Sequence, residues 1–323
     1  MRMPGSRAGM VVVLWAAGFA GPALAGPFVP AGDPPVALPG AVRFESSRRS
    51  TTFPIQVQSS LVFLPVFVNG TGPHDFVLDS GASRSLLERE LARRIGLQVE
   101  GSGSVSGAGA GRVPVEFAPE VELGLPRLRS FGHKLSTIDL KPLEKVVGRR
   151  VDGILGYDVF DRFVVEVDYA ARTVTLSSPV AWRYQGRGTS VPLEIEKNWP
   201  FVRAELTLPG EVTVQDRFLV DSGSADAVDH PLVAKLDSAR PTTSGRGLGE
   251  AVPGFVGRAT RFRIGGFELT DLPVACCGAS EATSRLIGGE VLRRFRVIFD
   301  YSRKRMILER AQRVGDGAAA GEA

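Results

Sequence analysis

The chain has 323 residues, 43% hydrophobic and 23% charged, an ordinary globular composition and enough for two lobes, each with its own core. The formal charge of +4 falls to +2 without Arg2 and Arg7, and the basic pairs Arg48-Arg49, Arg93-Arg94, Arg149-Arg150 and Arg293-Arg294 are short and scattered. They read as solvated faces and argue against a nucleic-acid partner. Only Cys276 and Cys277 are present, so there is no disulfide framework.

Residues 1–25 read as a secretory signal: Arg2 and Arg7 open it, residues 10–20 are apolar but short for a membrane span, and Ala23-Leu24-Ala25 is an A-x-A cleavage site. The expectation is a periplasmic or secreted chain starting near Gly26, with no stable membrane insertion. Residues 26–52 hold five of the 22 prolines and read as a linker or short pro-like segment.

Residues 61–68 predict a strand that turns at Asn69-Gly70 into a second strand ending at Asp79. Residues 201–208, the turn Pro209-Gly210 and residues 212–220 repeat the plan. Ser85-Leu86-Leu87-Glu88 has the form of a capping box. It predicts a helix through Ile95, with Leu87, Leu91 and Ile95 on one face and Gly96 as the stop. A matching helix is expected after His230-Pro231. Residues 113–125, 163–176, 260–269 and 296–308 alternate as strands do. The glycine-dense stretch of Gly107, Ala108, Gly109, Ala110 and Gly111 predicts a hairpin tip; no Lys-Ser or Lys-Thr follows it, which argues against a phosphate loop. Residues 245–257 hold the same place in the second half. His74, His133 and His230 lack metal-ligand spacing; His74 and His230 read as turn or cap residues, and no metal or cofactor is expected. No Gly-x-Ser-x-Gly elbow is present. Adjacent cysteines bridge only with strain, so Cys276 and Cys277 read as small buried residues of a strand over 272–277.

The chain is organised around Phe76-Val77-Leu78-Asp79-Ser80-Gly81-Ala82-Ser83, which returns as Phe218-Leu219-Val220-Asp221-Ser222-Gly223-Ser224. Each copy is a buried strand halted by a tight turn, which leaves a carboxylate among backbone N–H groups. Gly153-Ile154-Leu155-Gly156, Phe163, Asp168-Tyr169 and Leu176 follow the first copy; Leu286-Ile287-Gly288, Phe295, Asp300-Tyr301 and Leu308 follow the second. The constant spacing marks an internal duplication into two lobes.

Paired Asp-Ser-Gly turns, each followed by an apolar-apolar-Gly element, resemble the aspartic proteases of the pepsin clan, and within them the retropepsin-like branch in single-chain form. The resemblance covers roughly residues 53–310. It implies a mostly β, bilobal acid-protease fold: two retropepsin-like β-barrel lobes, residues 53–180 and 181–310, related by a pseudo-two-fold axis, with 311–323 a disordered tail. It further implies a monomeric endopeptidase acting on a peptide or protein substrate. Asp79 and Asp221 would share one proton and activate a water. Ser80 and Ser222 would brace the turns, Gly81 and Gly223 would admit the substrate backbone, and residues 107–111 would form a flap. Ser224, where lobe one has Ala82, would lower the Asp221 carboxyl and send the shared proton to Asp79. The chain departs from the retroviral pattern in lacking Arg after Gly156 and Gly288, so the lobes must be braced differently. A peptide-binding protein of the same fold without turnover is the alternative.

Overall fold

The apolar runs form strands and the chain is mostly β, in a computed structural model that describes residues 15–16, 42–45, 48–106, 110–244, 248–276 and 284–311. Leu61–Val68 pairs with Thr71–Leu78 across Asn69-Gly70, whose φ values are 47° and 77°. That left-handed pair is the geometry a two-residue hairpin needs, and Asn and Gly are the residues that adopt it at least cost.

The first-half sheet runs, in spatial order, Gln56–Gln58, Leu61–Val68, Thr71–Leu78, Gly153–Leu155, Leu86–Glu88, Leu128–Ile138, Val113–Leu125 and Glu100–Ser106. A second sheet runs Glu194–Glu196, Trp199–Leu208, Val212–Asp221, Leu286–Gly288, Val228–Asp229, Phe267–Cys276, Val252–Ile264 and Arg240–Ser244. Strand for strand the order repeats. Each sheet also curls until its second strand pairs with its seventh, Phe67 opposite Gly124 and Leu206 opposite Phe262. In each, the strand ending at the Asp-Ser-Gly turn lies parallel to the apolar-apolar-Gly strand: Val77 opposite Ile154, Val220 opposite Ile287. The two matched motifs of each half are therefore neighbours in space.

A six-stranded antiparallel sheet takes three strands from each half and joins them where Val164–Asp168 pairs with Phe295–Asp300. Phe160 stacks on Tyr301 at 5.4 Å and meets Phe299 edge-on at 5.1 Å, so first-half and second-half aromatics share one core. Each buried phenyl contributes about 1.5–3 kcal/mol.

Several expectations change. Leu86–Glu88 is a strand, and the helix is confined to Arg89–Arg94, capped by the Glu88 carboxylate, which accepts from Glu90 N and Leu91 N. Pairing with Ser136–Ile138 on one side and Gly153-Ile154 on the other outweighs the local capping signal. The second-half counterpart is a 3-10 turn, Pro231–Lys235, capped by His230 Nδ1. His74 lies within strand Thr71–Leu78 rather than in a turn. The runs 163–176, 260–269 and 296–308 are parts of hairpins, broken at left-handed Arg172, at Gly265-Gly266 and at left-handed Lys304. Strand Leu128–Ile138 and helix Lys141–Val147, with Pro142 in its first turn and left-handed Gly148 at its end, were not anticipated. Cys276 is buried as expected but is disulfide-bonded rather than a thiol; Cys277 lies outside the described residues. Within the stretch read as a linker, Val42–Phe44 pairs with Leu128–Ser130 and Ser50–Pro54 with Thr173–Ser177. Trp15–Ala16, inside the stretch read as a signal, pairs with Val105-Ser106.

Candidate active site

The two Asp-Ser-Gly turns meet. Ser80 N donates to Ser222 Oγ at 2.9 Å, and Ser222 N donates to Ser80 Oγ at 3.0 Å. Each hydroxyl in turn donates across the junction, Ser80 Oγ to Val220 O at 2.7 Å and Ser222 Oγ to Leu78 O at 2.9 Å. Four reciprocal bonds thus hold two strand ends together, and all four groups are buried. Serine suits the position because its hydroxyl both donates and accepts.

This junction fixes Asp79 and Asp221, both fully buried. Asp79 Oδ1 accepts from Gly81 N at 2.8 Å and Ala82 N at 3.0 Å, and Asp221 Oδ1 accepts from Gly223 N at 2.9 Å. The other oxygen of each, Oδ2, is buried with no hydrogen-bond partner among the described residues. Glycine is required for this approach. A Cβ on Gly81 would lie 2.6 Å from Asp221 Cγ, and one on Gly223 2.2 Å from Asp79 Cγ. Any side chain at either position would drive the carboxyls apart.

The apolar-apolar-Gly strands clamp the turns from behind. Asp79 N donates to Leu155 O, Tyr157 N to Ala82 O and Gly289 N to Ser224 O. A Cβ on Gly156 would strike Arg84 O at 2.5 Å, and one on Gly288 would strike Asp226 O at 2.3 Å. Both glycines are required by close packing against the loop main chain.

Burial raises both carboxyls, since little water remains to stabilise charge. Asp79 is pushed up to about 7, held back by its neighbour's carboxyl and by N–H donors from Gly81, Ala82 and Gly223. Asp221 lies well above the usual carboxylate range, raised by burial, then by the Asp79 charge and contact, and further by Asp229. Both are raised and act on each other, so the two carboxyls titrate as one coupled pair. Ser224 Oγ accepts from Asp226 N at 3.2 Å, and the Asp229 charge is among the causes that raise Asp221.

Of the expected flap residues, Gly107, Ala108 and Gly109 lie outside the described residues. Ala110 forms a two-bond bridge with Glu250 of the second half: Ala110 N to Glu250 O at 2.7 Å and Glu250 N to Ala110 O at 2.9 Å. Gly111 follows with φ +85°. Leu248, two residues before Glu250, is buried among first-half residues including Leu61, Phe63 and Ala82. Leu248 and Glu250 lie within residues 245–257, the expected counterpart of that stretch; their contact with the first half was not anticipated, because contact between distant loops leaves no local pattern.

A polar cluster in the first half braces the loop after Asp79. Asp158 Oδ1 accepts from Ser85 N at 2.6 Å, and its Oδ2 lies 2.7 Å from His133 Nδ1. His133 Nε2 meets Ser130 Oγ at 2.8 Å, and Arg162 Nη1 contacts both. The sequence resembles a Ser-His-Asp relay, but Ser130 and His133 are each 1% exposed and Arg162 occupies the serine, so the cluster fixes the loop after Asp79. In the second half Glu290 occupies the Asp158 position and pairs outward with Arg293. Among the described residues no group of three or more His, Cys, Asp or Glu could hold a metal ion. No described helix is long and apolar enough to cross a membrane.

A family model described as aspartyl protease matches residues 64–159, the stretch holding Asp79 and Gly156. Over those residues the chain is similar to aspartyl proteases, and the match supports a peptidase class. No curated protein matches the chain.

Proposed function

We propose that the chain is an exported aspartic endopeptidase whose Asp79 and Asp221 activate a water against a peptide bond. The observation that carries this reading is the reciprocal Ser80–Ser222 junction, which holds two buried, unpaired carboxyl oxygens side by side. Two carboxyls so close share one proton, which supplies a base and an acid in one site. Asp79, the ionised member, takes a proton from the water. Asp221 gives its proton to the carbonyl oxygen as the tetrahedral carbon forms, and no covalent intermediate is needed. The lobes, residues 53–180 and 181–310 about a pseudo-two-fold axis, each supply one acid. The peptide lies extended as an added strand, beneath the loops joined at Ala110 and Glu250, which must part to admit it. Cleavage after Ala25 would deliver the chain to the periplasm or exterior and remove the strand at Trp15–Ala16. Incubating the purified chain with a mixed peptide library, with and without pepstatin, tests the reading. Internal cleavage blocked by pepstatin is expected; intact peptides across the pH range would overturn it.

A further inference from the structure

Register places a further carboxyl, Asp229, beside the first pair. Asp229 ends the short strand Val228–Asp229 opposite Leu286, and Leu286 lies opposite Leu219, two residues before Asp221. Residues two apart on a strand share a face, so Asp229 and Asp221 project from the same face of the second-half sheet. The first half repeats this geometry with a different residue: Leu86 lies opposite Ile154, and Ile154 opposite Val77, two residues before Asp79. There Leu86 joins Leu61 and Phe63 in an apolar layer under Val105 and Val115 of the covering hairpin. The second half therefore carries a carboxyl where the first carries leucine.

Asp229 is 3% exposed and its Oδ1 has no hydrogen-bond partner among the described residues. Asp226, partly buried on the same loop, acts on it through its charge. Neither pairs with a cation among the described residues. The arginines of the adjacent strands are committed elsewhere, Arg217 to Glu196 at 2.8 Å and Arg285 to Asp216 at 2.6 Å. A buried carboxyl with no counter-charge is costly. Set on the face that carries the dyad, it is placed to receive one from outside.

We propose that Asp229 and Asp226 form a subsite for a basic side chain, lysine or arginine, of the bound peptide. This rests on the peptide-binding reading above. An extended peptide turns alternate side chains to opposite sides. One side chain would enter the apolar layer of Leu61, Phe63 and Leu86, where Leu248 now lies. A basic one would reach Asp229. Burial now holds both carboxyls up, Asp226 to about 7; an arriving cation would take the place of the proton.

The test is binding of non-hydrolysable reduced-bond peptides to the purified full chain, with lysine or neutral norleucine placed at each position in turn. At one position lysine should bind roughly tenfold or more tighter than norleucine. In Asp229→Asn and in Asp226→Asn that ratio should fall towards one, with circular dichroism confirming the fold and Asp229→Leu, the first-half residue, as a second variant. Absence of a lysine-preferring position, or a ratio that survives in all variants, overturns the proposal. Cleavage of the corresponding ordinary peptides is read separately: lysine-selective binding without cleavage would sink the peptidase reading and leave the subsite standing.

Discussion

Ser80 and Ser222 are each other's backbone acceptors: each N–H ends on the other's hydroxyl, at 2.9 and 3.0 Å, and each hydroxyl donates to the strand behind its partner. The junction is thus symmetric in chemistry although the surrounding loops differ. Ser80→Ala would leave Ser222 N without its acceptor and Val220 O without its donor, both inside the protein. Each orphaned buried group costs about 1–3 kcal/mol, so the variant should lose roughly 2–6 kcal/mol in denaturant unfolding. Ser80→Thr keeps the hydroxyl and should lose much less. Equal stability of the Ala variant and the wild type would contradict the junction's role.

The dyad's electrostatics set a pH profile. On the proposed mechanism one carboxyl of the pair must be ionised to act as base, and burial raises Asp79 to about 7. The rate constant kcat/KM should therefore rise with pH through about 7, as the pair gives up its first proton, and fall where it gives up the second. The Asp229 charge helps to hold Asp221 up. Asp229→Asn should accordingly move the alkaline limb to lower pH. An alkaline limb that stays in place would show that Asp229 does not act on the dyad.

The brace at Asp158 gives a stability prediction with a defined sign. Burial works to raise this carboxyl, but the His133 hydrogen bond and charge and the Ser85 contacts outweigh it and hold it below the usual range. A depressed folded value means stability that is present above the unfolded value and lost as pH falls through the folded one. Asp158→Asn should cost about 1–3 kcal/mol at neutral pH. The gap to wild type should close in acid, as wild type itself protonates. A gap independent of pH would assign the loss to packing rather than charge.

Much of this was legible in the residues, and the misreadings have physical causes. The twin Asp-Ser-Gly turns and their apolar-apolar-Gly partners could be paired by spacing alone, because each half builds the same strand order. Leu61–Val68 and Val113–Leu125 were predicted with their observed ends, since their apolar runs are bounded by turn residues. Ser85-Leu86-Leu87-Glu88 misled because a local capping pattern carries no record of the two strands that flank it in space. The Gly81 and Gly223 role was hidden for a related reason: the collision each avoids is with the opposite half. Asp229 did leave a signal. Setting Val228-Asp229 beside Ser85-Leu86, its partner by sheet register, exposes a carboxyl at a leucine position.

The proposed mechanism requires the two carboxyls to act as one unit. Asp79→Asn and Asp221→Asn should be purified separately, shown to be folded by circular dichroism, and assayed on a peptide that the wild type cleaves. Each should lose activity by a factor of about a thousand or more, because removing either member ends the shared-proton arrangement and loss is non-additive in such pairs. Wild-type-like cleavage by either variant would contradict the aspartic mechanism.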